Sequence, residues 1–214
     1  MYKVDLHTHS QASPDGALRE RHYKAMLTQG KLDAIAVTDH NTIAFAQALR
    51  ASLGERVIVG EEITTKEGEI IGLYLREAVP ADLSAKQAVQ AIKRQGGLVY
   101  IPHPLETVRK GLPLPALDAI AEHVDIIEVH NGRAIFQNKS EDALHWARMH
   151  SVPGAASSDA HGRHGWGKTY SELEELPTQD NLVRLLERAR LRSDTVGIRG
   201  AIYPKLNRLR KLGK

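Results

Sequence analysis

Eleven histidines and no cysteine set the terms for metal chemistry in this 214-residue chain. Thiolate zinc sites, disulfides and cysteine nucleophiles are excluded, so an ion here has to be held by His, Asp and Glu. Residues of those types fall in short clusters: Asp5, His7 and His9; Asp39 and His40; Glu61 and Glu62; His103; Asp159 and His161. His7 and His9 flank a single residue. On an extended segment that alternation puts both side chains on one face about 7 Å apart, a spacing suited to gripping one ion. One His-x-His pair is weak support, because a buried histidine is as often a hydrogen-bonded packing residue. The clusters taken together argue for a multinuclear centre, and imidazoles with carboxylates and no thiolate suit Zn²⁺, Mn²⁺ or Fe²⁺.

Clusters so far apart in sequence converge only on a suitable scaffold. Seven short apolar or β-branched runs, at residues 2–6, 34–38, 57–59, 70–75, 98–101, 126–129 and 154–156, read as strands, and most of them end at one of the clusters. Between most of them apolar residues recur at helical spacing: Leu18, Ala25 and Met26; Ala85, Ala88, Val89 and Ile92; Leu117, Ile120, Ala121 and Val124. A last stripe holds Leu182, Leu185, Leu186 and Ala189. These predict helices packed on a sheet. Alternating strand and helix predicts a parallel sheet, open or closed into a barrel, with a site at the carboxyl ends of its strands. Lys66-Glu67-Gly68 departs from the alternation and reads as a turn joining two neighbouring strands. No repeat, low-complexity segment or linker divides the chain, so a single α/β domain is expected.

With 42% hydrophobic and 26% charged residues, the chain has the balance of one that buries a core. No apolar run reaches the length of a membrane span, about 18 residues, and the opening MYKVDLHTHS lacks a charged segment followed by an apolar one. Neither a span nor a secretory signal is expected, and the expected location is cytoplasmic. The formal charge is +3, yet the segment 199–214 holds six basic residues and no acidic one, which leaves residues 1–198 at −3. The basicity belongs to this tail and not to a nucleic-acid-binding face of the body. A helix is expected there, with Ile202, Leu206 and Leu209 on one face and Lys205, Arg208, Arg210 and Lys211 around it. Such an end is more often a solvated closing helix than a contact to nucleic acid, anionic membrane or a partner subunit.

In this order, HTHS at 7–10, Asp15 within SPDG, TDH at 38–40, GEE at 60–62, PHP at 102–104 and SDAH at 158–161 resemble the motifs of the PHP (polymerase and histidinol phosphatase) family. The resemblance implies a distorted (β/α)7 barrel, a site with two or three divalent transition-metal ions, and hydrolysis of a phosphate ester. Carried over by residue, it implies His7, His9, Glu62 and Asp159 around one ion, with Glu62 bridging to a second near His103. Asp15, His40 and His161 are implied around a third. Many members place a histidine in the strand after the bridging glutamate, where this chain reads Glu69-Ile70-Ile71-Gly72; either Glu69 substitutes or the second ion is more open. The family's Gly-x-Glu spacing favours Glu62 over Glu61 as the ligand. Asp5 and Asp39 are expected to orient histidines by accepting their second ring N–H.

Two divalent ions about 4 Å apart lower the pKa of a bridging water, hold the resulting hydroxide in line with phosphorus and stabilise the leaving oxygen, so no side-chain nucleophile is needed. His161 or His40 is a candidate proton donor to the leaving group. Arg109, Arg133 and His164 follow strand ends and are candidates to contact the phosphate. His130 reads as a pocket wall, and His22, His123, His145 and His150 as structural. The expected function is metal-dependent hydrolysis of a small phosphorylated metabolite or nucleotide, with the tail dispensable for turnover. A nuclease acting at 3′ ends or on oligonucleotides, which only the basic tail favours, and a non-catalytic metal-binding regulatory domain are the alternatives.

Overall fold

Each of the seven apolar runs forms a strand in the computed structural model, which describes residues 1–194 and 197–212. They are β1 (Tyr2–Asp5), β2 (Ala34–Val37), β3 (Val57–Thr64), β4 (Glu69–Leu73), β5 (Leu98–Ile101), β6 (Ile126–Asn131) and β7 (Gly154–Ser157). Two more, β8 (Tyr170–Leu173) and β9 (Arg190–Arg192), extend the sheet beyond that expectation. The order across the sheet is β7-β6-β5-β4-β3-β2-β1-β8-β9. A bridge between Thr8 and Ala160, with the His9 amide donating to the Ala160 carbonyl at 2.9 Å, brings the chain after β1 to the chain after β7. The sheet is thereby a nearly closed barrel. The helices are α1 (Glu20–Thr28), α2 (Ala44–Leu53), α3 (Ala85–Arg94), α4 (Leu114–Asp118), α5 (Ser140–His150), α6 (Leu182–Leu186) and α7 (Gly197–Leu212).

The sheet is mixed, and it leaves the parallel alternation at the turn expected at Lys66-Glu67-Gly68. β4 runs antiparallel to both β3 and β5, because Thr65 and Gly68 close a tight turn, amide to carbonyl at 2.8 Å, in place of a helical crossover. The stripe at 117–124 yields a helix only as far as Asp118, then a 3-10 turn at Ala121–His123, since Ile120 leaves helical geometry at φ −120°, ψ 5°. The last stripe stops at Leu186, where the chain turns into β9.

Alternation along the strands builds two cores. Val4, Ala34, Ala36, Ile58, Ile71, Tyr100, Ile126 and Ala155 belong to an inner cluster, joined by Leu182, Leu185 and Leu186 of α6, which close the amino-terminal end of the barrel. Val57, Val59, Ile63, Val99, Ile127 and their like form the outer cluster under the helices. The same period continues at the carboxyl ends, where the inward positions change from apolar to polar: Ile58 is followed two positions on by Gly60 and then Glu62, and Ile126 by Glu128. Since β4 is reversed, its first residue, Glu69, sits at this same end.

The C-terminal helix keeps Ile202, Leu206 and Leu209 facing outward and meets the barrel through buried Pro204 and Asn207. Among the described residues no helix is long and apolar enough to cross a membrane.

Glu61 points to the outer side of β3, where it is buried and accepts a hydrogen bond from the Val79 amide at 2.7 Å. Burial pushes its carboxyl up from 4.5 to about 7, against the opposing effect of that bond. The folded state therefore binds this proton more tightly than the unfolded chain. The contribution of Glu61 to stability is fully present below about pH 4.5 and is lost as pH rises through 7. Glu61→Gln keeps the acceptor and removes the titration. Its melting temperature is expected to match wild type at pH 5 and to exceed it by about 4 °C or more at pH 8, as read by differential scanning calorimetry; a variant that loses ground between pH 5 and pH 8 refutes the assignment.

Candidate metal centre

The loop after β1 is folded tightly on itself: a Cβ on Gly16 would lie 1.9 Å from the Ser10 carbonyl oxygen, so only glycine lets the SPDG turn lie against HTHS. Two buried carboxylates fasten the loops. Asp39 accepts from the Ser10 amide at 2.7 Å, the Ser10 hydroxyl at 2.5 Å and the Ser13 hydroxyl at 2.8 Å. Asp5 accepts from the Ser158 amide at 3.0 Å, its hydroxyl at 2.5 Å and Trp166 Nε1 at 3.0 Å. Sequence reasoning assigned both to histidine rings; the structure uses them to join β1, β2 and β7 at their carboxyl ends, because each reaches a neighbouring loop before it reaches an imidazole.

The group that orients His7 is Glu128, in the middle of β6, whose Oε1 accepts from His7 Nδ1 at 3.1 Å. Glu128 also accepts from Tyr100 at 2.8 Å, the His103 amide at 2.7 Å and Asn131 Nδ2 at 2.7 Å. Sequence reasoning missed it, although a carboxylate inside the apolar run Ile126–Val129 was a visible signal. Ser13 serves His9 in the same way. Its hydroxyl donates to Asp39, so it accepts from His9 Nδ1, 3.1 Å away. Both histidines are left with Nε2 lone pairs turned to the same point, 3.0 Å apart.

Around that point the donors close in. Glu62 Oε1 lies 3.5 Å from His7 Nε2, Glu62 Oε2 3.2 Å from His9 Nε2, and Asp159 Oδ1 3.6 Å from each imidazole. Four donors bound tetrahedrally at the usual zinc distances stand about 3.4 Å apart. A second group holds His7, Glu62 and His103, with His103 Nε2 3.0 Å from Glu62 Oε1 and 3.9 Å from Glu69 Oε2. A third joins His9, Asp15, His40 and His161, where Asp15 Oδ1 lies 3.6 Å from His40 Nε2 and 3.4 Å from His161 Nε2. All eight residues named as ligands from sequence thus share one nest, and Glu69 stands at its edge. Asp15 Oδ1 and His103 Nδ1 are buried with no hydrogen-bond partner, and a cation is the partner that suits Asp15 Oδ1. The donor chemistry, the spacing and that orphaned oxygen all fit divalent metal ions.

The electrostatics say the same. Burial pulls the His7 proton affinity down, but Asp159, Glu62 and Glu128 outweigh it and hold His7 well above its ordinary value. Burial and the neighbouring His161 push His9 down to about 3. Glu62 is held well below the usual carboxylate range, against burial, by His40, His7 and His103. Asp159 is held low against burial by Arg133 and His7. Glu69, buried and facing Glu62, is pushed up to about 9. Two ligand positions, His103 at φ +30° and Asp159 at φ +52°, also hold backbone in the left-handed region, strain of the kind kept at functional sites.

Above the nest is a pocket of about 260 Å³. Arg109 and Arg133 line it, each donating to Asp159 at 3.0 Å, and Glu106 holds the Arg109 guanidinium with both oxygens at 2.6 and 2.9 Å. The expected pocket residue His164 lies outside, exposed and stacked on Tyr203 of α7 at 5.7 Å between ring centroids. In its place α7 brings Pro204, Lys205 and Arg208 to the pocket, so the tail does not stand apart from the site as expected.

The PHP domain model matches residues 5–179. An uncharacterized protein of Methanocaldococcus jannaschii is 34% identical over 149 residues, spanning 64% of this chain and 87% of the relative. A crystal structure of a two-domain protein from Bacteroides vulgatus, containing a predicted PHP-like metal-dependent phosphoesterase, superposes with a TM-score of 0.70 at 21% identity. That match covers 89% of this chain and 65% of the two-domain protein, so the chain spans less than two thirds of it. An amidohydrolase from Chromobacterium violaceum, with bound sulfate, superposes with a TM-score of 0.63 at 18% identity over 88% of this chain and 97% of that one. These two solved structures share the barrel. The family model over most of the length, with the archaeal relative, makes this chain a member of the PHP domain family.

Proposed function

We propose that the protein is a metal-dependent phosphoesterase that hydrolyses a small phosphorylated molecule. The observation that carries this reading is the overlap of three donor groups through His7 and His9, at the floor of a pocket walled by Arg109, Arg133, Lys205 and Arg208. Cations beyond the metal ligands are what a phosphate group needs. His7, His9, Glu62 and Asp159 would hold one ion; Glu62 and His103, with Glu69 beside them, a second; Asp15, His40 and His161 a third. Bound there, manganese, zinc or iron ions supply Lewis-acid activation of water and charge neutralisation at phosphorus.

The chain's own residues do the rest. Glu128 and Ser13 fix the ring orientation of His7 and His9, and Glu106 holds the Arg109 guanidinium at the pocket wall. His40 and His161 were the candidate proton donors. Both turn Nε2 toward Asp15, so as ligands of an ion beside it they would have little freedom to shuttle a proton, and His161 Nδ1 also lies 2.9 Å from the Asp159 carbonyl oxygen. Lys205 and Arg208 line the pocket, an arrangement that favours a single phosphate group over the backbone phosphates of a nucleic acid, the alternative substrate. A non-catalytic domain has no need of an open cationic pocket over the ligands.

Purified protein is expected to contain at least two transition-metal ions per chain by elemental analysis, and chelation is expected to abolish phosphate release from a metabolite panel. An active preparation with one ion or none refutes the reading. Glu62→Gln should lower turnover by at least about 100-fold and cost bound metal, with the fold intact by circular dichroism. Glu61→Gln should stay within a few-fold, and the reverse ranking overturns the register of β3. Glu128→Gln keeps the shape and removes the charge behind His7, so a competitive chelator titration should show metal affinity reduced roughly 10–100-fold; unchanged affinity removes Glu128 from the centre.

A further inference from the structure

The helix α7 is stitched to the loops that carry the candidate ligands. Asn207, buried, donates from Nδ2 to the Asp15 carbonyl at 2.7 Å and to the His161 carbonyl at 3.1 Å. Lys211 Nζ donates to the carbonyls of Gln11 and Ser13. Tyr203 packs flat against Gly162, where a Cβ would lie 3.1 Å from its ring. A side chain on this helix is therefore registered against SPDG and SDAH, although about 190 residues separate it from Asp15.

Arg208 is the side chain that registration aims at the site. Its Nη2 donates to Asp15 Oδ2 at 2.8 Å, while Asp15 Oδ1 faces His161 and His40. Asp15 is divided, one oxygen for the histidine cluster and one for the guanidinium. Of the five N–H donors of Arg208 one is engaged among the described residues, and the side chain remains 61% exposed at the pocket mouth. So exposed an ion pair adds little to stability, and Asn207, Lys211 and Tyr203 already dock the helix. What remains for Arg208 is a forked cation with spare donors that lines, together with Lys205, Arg109 and Arg133, the pocket over the candidate ligands.

We propose that Arg208, assisted by Lys205, is a specificity-determining residue that grips the oxyanion of the substrate, so that α7 forms one wall of the active site. This rests on the phosphate-ester reading above. A guanidinium matches a phosphate with two parallel N–H···O bonds and a lysine adds a point charge. A group held between α7 and the two barrel arginines must end in the pocket, which selects a terminal phosphate over one inside a chain.

The test uses full-length, metal-loaded protein and the variants Arg208→Ala, Arg208→Lys and Lys205→Ala. Binding of inorganic phosphate is measured by calorimetry, and turnover with p-nitrophenyl phosphate and bis-p-nitrophenyl phosphate. Arg208→Ala is expected to weaken phosphate binding at least tenfold and to raise KM for the monoester by a similar factor. Its kcat should stay within about threefold and its metal content and melting temperature should be unchanged. Arg208→Lys should fall between the two, Lys205→Ala should cost about threefold, and the diester should lose less than the monoester. The proposal is overturned if wild type binds no phosphate, if Arg208→Ala leaves phosphate affinity and KM within twofold, or if it lowers bound metal without changing phosphate affinity, in which case Arg208 only positions Asp15. Wild type that binds phosphate through Arg208 yet hydrolyses neither ester defeats the hydrolytic reading and leaves this inference standing. Active wild type indifferent to Arg208→Ala does the opposite.

Discussion

Glu62 is a carboxylate buried at the top of an apolar barrel and faced by four imidazoles, those of His7, His9, His40 and His103. A buried charge left without compensation costs about 3–5 kcal/mol, so the loops around Glu62 have to arrive together or not at all. The donors that meet it come from three strand ends, His7 and His9 after β1, His40 after β2 and His103 after β5, and two of them are themselves held by a further group: Glu128 behind His7, Ser13 behind His9. Asp15, Glu128 and Asp159 are crowded into the same volume as Glu62, and Asp15 Oδ1 has no hydrogen-bond partner there. That concentration of carboxylate oxygens and imidazoles is what makes it a place for divalent cations instead of a packed polar core.

The barrel meets this constraint by using one periodicity twice. Inward-pointing positions at the amino ends of the strands are apolar and are sealed by the leucines of α6; one or two residue pairs further along, the same face carries Glu62, Tyr100, Glu128 and Ser157. Core and site are successive layers of a single stack, so the rigidity of the lower layer is transmitted to the upper. The reversed strand β4 extends the arrangement, since only an antiparallel strand presents its first residue at that end. Glu69 enters the site by that route.

Asp5 and Asp39 complete the framework at the seams. Both are buried and both are saturated by serine hydroxyls, backbone amides or an indole, which ties the chain after β1 to the chains after β2 and β7. The helix α7 then closes over the seam between SPDG and SDAH through hydrogen bonds to backbone carbonyls, and leaves its own apolar stripe in solvent.

The sequence by itself determined the seven central strands, the side-chain types at their ends, and the absence of any thiolate alternative, because hydrophobic period and residue chemistry are local properties. His7, His9, Asp15, His40, Glu62, His103, Asp159 and His161 were legible for that reason, and the motif order named their family. The family's Gly-x-Glu spacing chose Glu62 over Glu61; period says only that neighbours on a strand face opposite ways. Tertiary structure alone decided which carboxylate serves which imidazole. Asp5 and Asp39 were as eligible as Glu128 until distances were fixed. It alone decided that α7 docks by its polar face, since backbone carbonyls freed at distant loops leave no mark on the pattern of the helix that caps them. The stripe of Ile202, Leu206 and Leu209 reports where apolar side chains lie on the helix, and not which face the barrel will take; hydrogen bonds between residues nearly the whole chain apart settled that.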